Sequence, residues 1–230
     1  MTTTGAGRPR LSTRKRPGAT ARDEILDAAA ELFTTGGFTT TSTRMIADAV
    51  GIRQASLYHH FANKEDLLAA LLVETVTSPV AFAQQLSESE EPATLRMYAL
   101  TWFDAHQLAT SRWNLGALYL LPELRTERFE SFRAQRNILL DLYTEFAQDA
   151  MVQVDPRRDV DIGIAQLPFR LVETVINTRS DVEAESAGTP PSPDIIADAA
   201  MRVLGWTGST AELAARTTRF IADYEGCQSM

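Results

Sequence analysis

Two adjoining runs constrain the chain most: STRMIADAV (42–50) and GIRQASLYHHF (51–61). In the first, Ile46, Ala47 and Val50 recur at helical spacing behind Ser42 or Thr43, either of which can cap a helix. Gly51 then tolerates the positive φ that ends such a helix and opens a turn. The second run is too polar for a core element and too regular for a loop. Ile52, Leu57 and Phe61 make an inward set, which leaves Arg53, Gln54, Ser56, Tyr58 and His59 pointing outward. A short helix, a glycine turn and a second short helix match a helix-turn-helix, with Ala47 as the small side chain at the corner. An anchored helix with exposed hydrogen-bonding groups suits the major groove of DNA, and Lys64 falls where a cation would meet the sugar-phosphate backbone. Spacing alone leaves open a three-helix bundle whose third helix is merely solvated.

The flanks extend the pattern. TARDEILDAAAELFTTGGF reads as a preceding helix, with Thr20 and Asp23 in its first turn and Gly36 and Gly37 at its end. NKEDLLAALLVETV begins a fourth helix capped by Asn63, with Glu65 and Asp66 placed where the helix dipole favours negative charge. The segments ILDAAAELFTTGGF, STRMIADAVGI and ASLYHHFANKEDLL make residues 20–72 resemble the DNA-binding domain of the tetracycline-repressor (TetR) family of bacterial transcription regulators. The resemblance implies that Arg44 and Gln54 read bases with Arg53 and Ser56 beside them, while Thr43, Tyr58, His59 and Lys64 hold phosphates. Position 53 is arginine and position 55 alanine, where many members carry a small polar residue and glycine or proline. The resemblance further implies an all-α homodimer that binds a roughly palindromic double-stranded operator and is released by a small, mostly apolar effector.

The formal net charge of −8 is unevenly distributed: residues 1–70 hold nine Lys/Arg against seven Asp/Glu, and residues 71–230 hold thirteen against twenty-three. Arg8, Arg10, Arg14, Lys15, Arg16 and Arg22 all precede the first acid, Asp23, among Pro, Gly, Ser and Thr. This predicts a disordered basic arm over 1–19, either a solubilising tail or a contact to phosphates. The helix-turn-helix domain then spans 20–66 and a larger helical ligand-binding and dimerisation domain spans 67–230. No signal-peptide core follows the basic start, and no apolar run approaches the roughly 18 residues that span a bilayer, so the expectation is a soluble cytoplasmic protein with no membrane partner. The single cysteine, Cys227, excludes an internal disulfide and reads as a tail residue. His59 and His60 point about 100° apart on a helix, so they are poor partners for one metal. His60 reads as closing the bundle or bonding to a neighbouring helix, and neither a metal nor a cofactor is expected.

Beyond residue 72 no phosphate-cradling glycine loop, nucleophile elbow or metalloprotease motif occurs, so no catalytic residue is assigned and the chain is not expected to be an enzyme. A helical enzyme with an accidental helix-turn-helix, or a nucleoid-type protein binding DNA without sequence preference, are the alternatives. Amphipathic periodicity predicts helices at 93–110, 112–121, 123–151 and 157–179, the last kinked by Pro168, then a mobile loop over SDVEAESAGTPPSPD and helices at 194–204 and 209–225. Each aromatic of the middle helices can simply fill the core; with the resemblance, together they suggest a ligand pocket lined by Trp102, Phe103, Trp113, Tyr119 and Phe129, in which His106 or Arg112 orients a polar group. The late helices would pair with a second subunit as a four-helix bundle.

Overall fold

The computed structural model describes residues 16–183 and 191–228, and all regular structure among them is helical. Arg8, Arg10, Arg14 and Lys15, residues 184–190 of the Pro-rich segment and the Cys227 side chain lie outside the described residues, while 180–183 and 193–194 of that segment, expected in a loop, are helical. The chain divides into two compact units, Met1–Leu68 and Ala69–Met230.

In the first unit, α1 (Ala21–Thr35) starts at a capping box: the Asp23 N–H donates to Thr20 Oγ1, and the Thr20 N–H donates to Asp23 Oδ2. Its apolar face buries Ile25, Leu26, Ala29 and Phe33, and the Phe33 ring meets Phe38 edge-on at 5.0 Å. Ser42, rather than Thr43, caps α2 (Thr43–Val50) by accepting from the Met45 N–H. Gly51 ends α2 at φ 77°, with its N–H on Asp48 O and the Ile52 N–H on Ala47 O, the bond pair of a Schellman turn. An L side chain is strained there. Gly51→Ala is therefore expected to destabilise this unit by about 1–2 kcal/mol, readable as a lower urea midpoint. An unchanged midpoint would show that the turn relaxes at no cost.

The third helix, α3 (Gln54–Tyr58), is only five residues long, and Leu57 is its buried member. Two cations predicted to be available are occupied. Lys64 donates to the carbonyls of Phe38 (2.7 Å) and Thr41 (3.0 Å) and sits 4.3 Å over the Phe38 ring, tying the α1–α2 turn to the start of α4. Arg16 pairs with Asp27 at 2.8 Å and Glu31 at 2.5 Å on α1, so it is docked rather than part of a loose arm. His60 is exposed and does not close the bundle.

The boundary between units falls within α4 (Lys64–Glu88), whose Asn63 cap receives the Asp66 N–H at 2.8 Å. By length and composition α4 could cross a membrane, contrary to the expectation from run length, yet half of its most apolar window is buried within the protein. It is continuous through Pro79, which cannot donate to the carbonyl of Thr75 four residues earlier. Gln107 Nε2 supplies that missing donor at 2.7 Å, so a side chain 32 residues away keeps the helix satisfied.

The second unit is built around α5 (Ala93–Thr110), which packs against α6 (Glu130–Val154), α8 (Leu167–Glu183), α9 (Pro193–Val203) and α10 (Ala211–Gln228). The helices expected at 112–121 and 123–151 resolve differently: short 3-10 turns occupy Leu115–Leu120, Pro122–Arg125 and Glu127–Phe129, and only then does α6 begin. Gly116 lies so close to Ile176 that a Cβ would fall 2.5 Å from its Cδ1. Arg133 donates to the carbonyls of Leu124 and Thr126, satisfying acceptors that a continuous helix would have used internally. The helix expected at 157–179 is split into α7 (Ile162–Ala165) and α8 with a break at Gln166, just before Pro168, so the proline marks a separation where a kink was expected.

Candidate nucleic-acid interface and ligand cavities

The corner between α2 and α3 presents its polar groups as a connected set. Gln54 Nε2 donates to Thr43 Oγ1 at 2.9 Å and to Tyr58 Oη at 3.2 Å, and the two hydroxyls are 3.0 Å apart. Three side chains of the predicted interface are thus brought together across both helices by the tight Gly51 turn and the buried Leu57 and Ile46 beneath. In this arrangement the Gln54 amide NH₂ is committed to oxygen acceptors within the protein, so two-point reading of an adenine edge needs the network to open. Arg44 lies at 3.9 Å from Asp48 with both side chains largely exposed, a pair worth little and easily exchanged for a DNA contact. Arg53, Ser56 and His59 are exposed on or beside α3. Lys64 faces backbone carbonyls, donating to those of Phe38 and Thr41.

Met45, 45% exposed beside Arg44, was missed in the sequence. It is out of phase with the buried stripe of Ile46, Ala47 and Val50, and that mismatch was the available signal. With Tyr58, it is one of two exposed large apolar side chains among the described residues of this unit, and an apolar group there can meet a thymine methyl.

In the second unit the six aromatic-rich pocket positions are divided. Trp113 lines a cavity of about 190 Å³ with Glu74, Gln107 and Arg179. Tyr119 lines an inner cavity of about 20 Å³ and a half-open groove of about 490 Å³. Trp102, Phe103, His106 and Phe129 line none of these three. Phe103 stacks on Phe82 at 4.2 Å, whereas Trp102 stacks on His106 at 4.8 Å and donates from Nε1 to Asp194 at 3.0 Å. Helix geometry explains the division: positions 102 and 106 are two residues from 104 and 108, about 200° around α5. Asp104 and Leu108 therefore face the inner cavity while Trp102 and His106 face away. Arg112 sits 4.9 Å over the Trp113 ring.

The inner cavity has a charged lining. Asp104 is buried and its carboxyl is pushed up to about 7, chiefly by desolvation and further by Glu173, against the lowering effect of the Tyr143 hydroxyl bond at 3.1 Å. Arg136 pairs with Glu173 across the same cavity, and the Tyr119 hydroxyl donates to Thr75 Oγ1 at 2.6 Å. Burial holds the Tyr119 and Tyr143 hydroxyls well above their ordinary range, so both stay protonated donors.

Residues 25–71 match the profile described as "Bacterial regulatory proteins, tetR family". The crystal structure of Mycobacterium smegmatis AmtR is 52% identical, covers 91% of this chain and 98% of that one, and superimposes with a TM-score of 0.83. The HTH-type transcriptional repressor KstR2 of Rhodococcus jostii is 28% identical over 146 residues, 63% of this chain and 72% of that protein. Bacillus subtilis FadR in complex with stearoyl-CoA is 19% identical, covers 79% of this chain and 96% of that one, and has a TM-score of 0.59, a likeness of fold alone. The outward polar corner of α2 and α3, the all-helical second unit and the extent of the match to AmtR agree: this chain belongs to the TetR family of DNA-binding transcription regulators.

Proposed function

We propose that the protein is a cytoplasmic repressor, without catalytic activity, that grips a roughly palindromic operator as a homodimer and lets go when a small organic effector occupies its second unit. The observation behind this reading is the Thr43–Gln54–Tyr58 network, flanked by exposed Arg44, Arg53, Ser56 and His59. It supports a reading in which base-reading and phosphate-holding groups share one face of a short helix pair. A single such face reads few base pairs, so specificity calls for two, about 34–36 Å apart on successive major grooves. Exposed Leu167 and Val182 on α8, with Ile195 on α9, offer an apolar surface for a second copy. The groove adjoining the charged inner cavity supports an effector site, and the complex of FadR with stearoyl-CoA supports this fold as a host for organic ligands.

Gel retardation with DNA upstream of the protein's own gene, competed by unrelated DNA, tests the reading. Gln54→Ala or Arg44→Ala is expected to cost about 1–3 kcal/mol on the preferred site and much less on unrelated DNA. Tyr58→Ala should weaken both about equally, as loss of a phosphate contact does. If unrelated DNA competes as well as the upstream fragment, the protein is a non-specific binder and the operator reading fails.

A further inference from the structure

The groove of about 490 Å³ between the 3-10 turns, α6 and α8 is lined by Arg125, Arg133, Arg136 and Arg170, with Glu173 as its one acid. Residues 71–230 hold ten more acids than bases, so four arginines against one glutamate is a local reversal of the unit's charge. Glu173 accepts from both Arg136 and Arg170 and can offset only one of them. Arg133 donates to two backbone carbonyls, which fix its position without neutralising it, and Arg125 is exposed. Between these cations lie Leu124, Phe132 and Ile176, an apolar surface. The inner cavity beyond Tyr119 and Arg136 has room for about 20 Å³, too little for an organic body, so a ligand must rest in the groove itself.

We infer that this groove binds an organic anion, its carboxylate, sulfonate or phosphate held by the arginines and its apolar body lying along Leu124, Phe132 and Ile176. The inference rests on the effector reading above and deepens it by assigning the effector's charge. Guanidinium forks suit such oxyanions because they donate two parallel hydrogen bonds to them. A neutral molecule of the same shape would leave the groove's excess positive charge unbalanced.

Two probes of nearly one shape separate charge from apolar contact: 8-anilinonaphthalene-1-sulfonate and the neutral N-phenyl-1-naphthylamine. Titrated by fluorescence into the full-length protein, the sulfonate is expected to bind roughly tenfold or more tightly than the neutral probe. In the Arg125→Gln/Arg170→Gln variant that preference should vanish while the neutral probe binds as before, which also shows the groove intact. Equal affinities in the wild type, or a preference that survives the double substitution, overturn the inference. Operator retardation on the same samples keeps the two readings apart: failure of the wild type to retard its operator defeats the repressor proposal, whereas the charge preference is decided by the probes alone.

Discussion

Leu57→Ala is expected to destabilise the Met1–Leu68 unit by about 2–5 kcal/mol and to abolish operator retardation. Leu57 is fully buried and is the one buried side chain of α3. A helix of five residues cannot maintain itself, since isolated helices below about 12–15 residues are marginal in water. What holds α3 is the packing of Leu57 together with Phe61, whose N–H donates to Leu57 O at 3.0 Å. Truncation leaves a cavity beneath the polar corner, and the Thr43–Gln54–Tyr58 network loses the platform that brings its two helices together. Tyr58→Ala is the contrast: that side chain is 48% exposed, so its loss should change stability by no more than about 0.5 kcal/mol while still weakening DNA binding. Urea unfolding followed by circular dichroism checks both. A Leu57→Ala midpoint equal to that of the wild type would mean that α3 is held by something other than its buried leucine.

Asp104→Asn is expected to remove a pH dependence of stability on the order of 4 kcal/mol. Burial raises the Asp104 carboxyl to about 7 from an ordinary value of 3.8, so the folded chain keeps a proton there that the unfolded chain releases. The sign follows: the favourable contribution is complete below about pH 4, declines as pH rises through the interval, and is gone above about pH 7, where folding must bury a carboxylate. Arg136, the Tyr143 hydroxyl and Gln107 partly compensate the charged form, and Glu173 opposes it. The amide of the variant keeps the shape and an oxygen for the Tyr143 bond but titrates nothing. Melting temperatures of the two proteins should therefore diverge between pH 5 and pH 8 by roughly 10 °C, the variant gaining relative to the wild type as pH rises. Parallel curves would show that Asp104 is solvated and ordinary.

The helix-turn-helix was readable in one dimension because every device that builds it is local. Thr20 and Asp23, Ser42 and Met45, and Asn63 and Asp66 are caps closed within three residues, and the Schellman turn at Gly51 is complete within six. The buried stripes follow helical spacing in segments short enough that no distant residue alters the count. Met45 escapes that pattern because it lies out of phase with Ile46, Ala47 and Val50. The six suggested pocket positions were read from aromatic density, which says how much surface needs burial but not which side of α5 each ring takes.

What the amino-acid sequence determined by itself is therefore the all-helical class, the helix-turn-helix corner and the family. The tertiary structure decided the rest, through partners far apart along the chain. Lys64 is drawn onto carbonyls 23–26 residues earlier, Gln107 completes a helix at Thr75, and Ile176 crowds Gly116 where a longer helix had been expected. Asp104 has the composition of a surface acid and becomes a buried, proton-holding group only because α4, α6 and α8 close around it. The division has one physical cause. Caps and periodicity act within a few residues, where the chain's own connectivity brings the groups together, whereas burial, cavity shape and local charge depend on which distant surfaces meet.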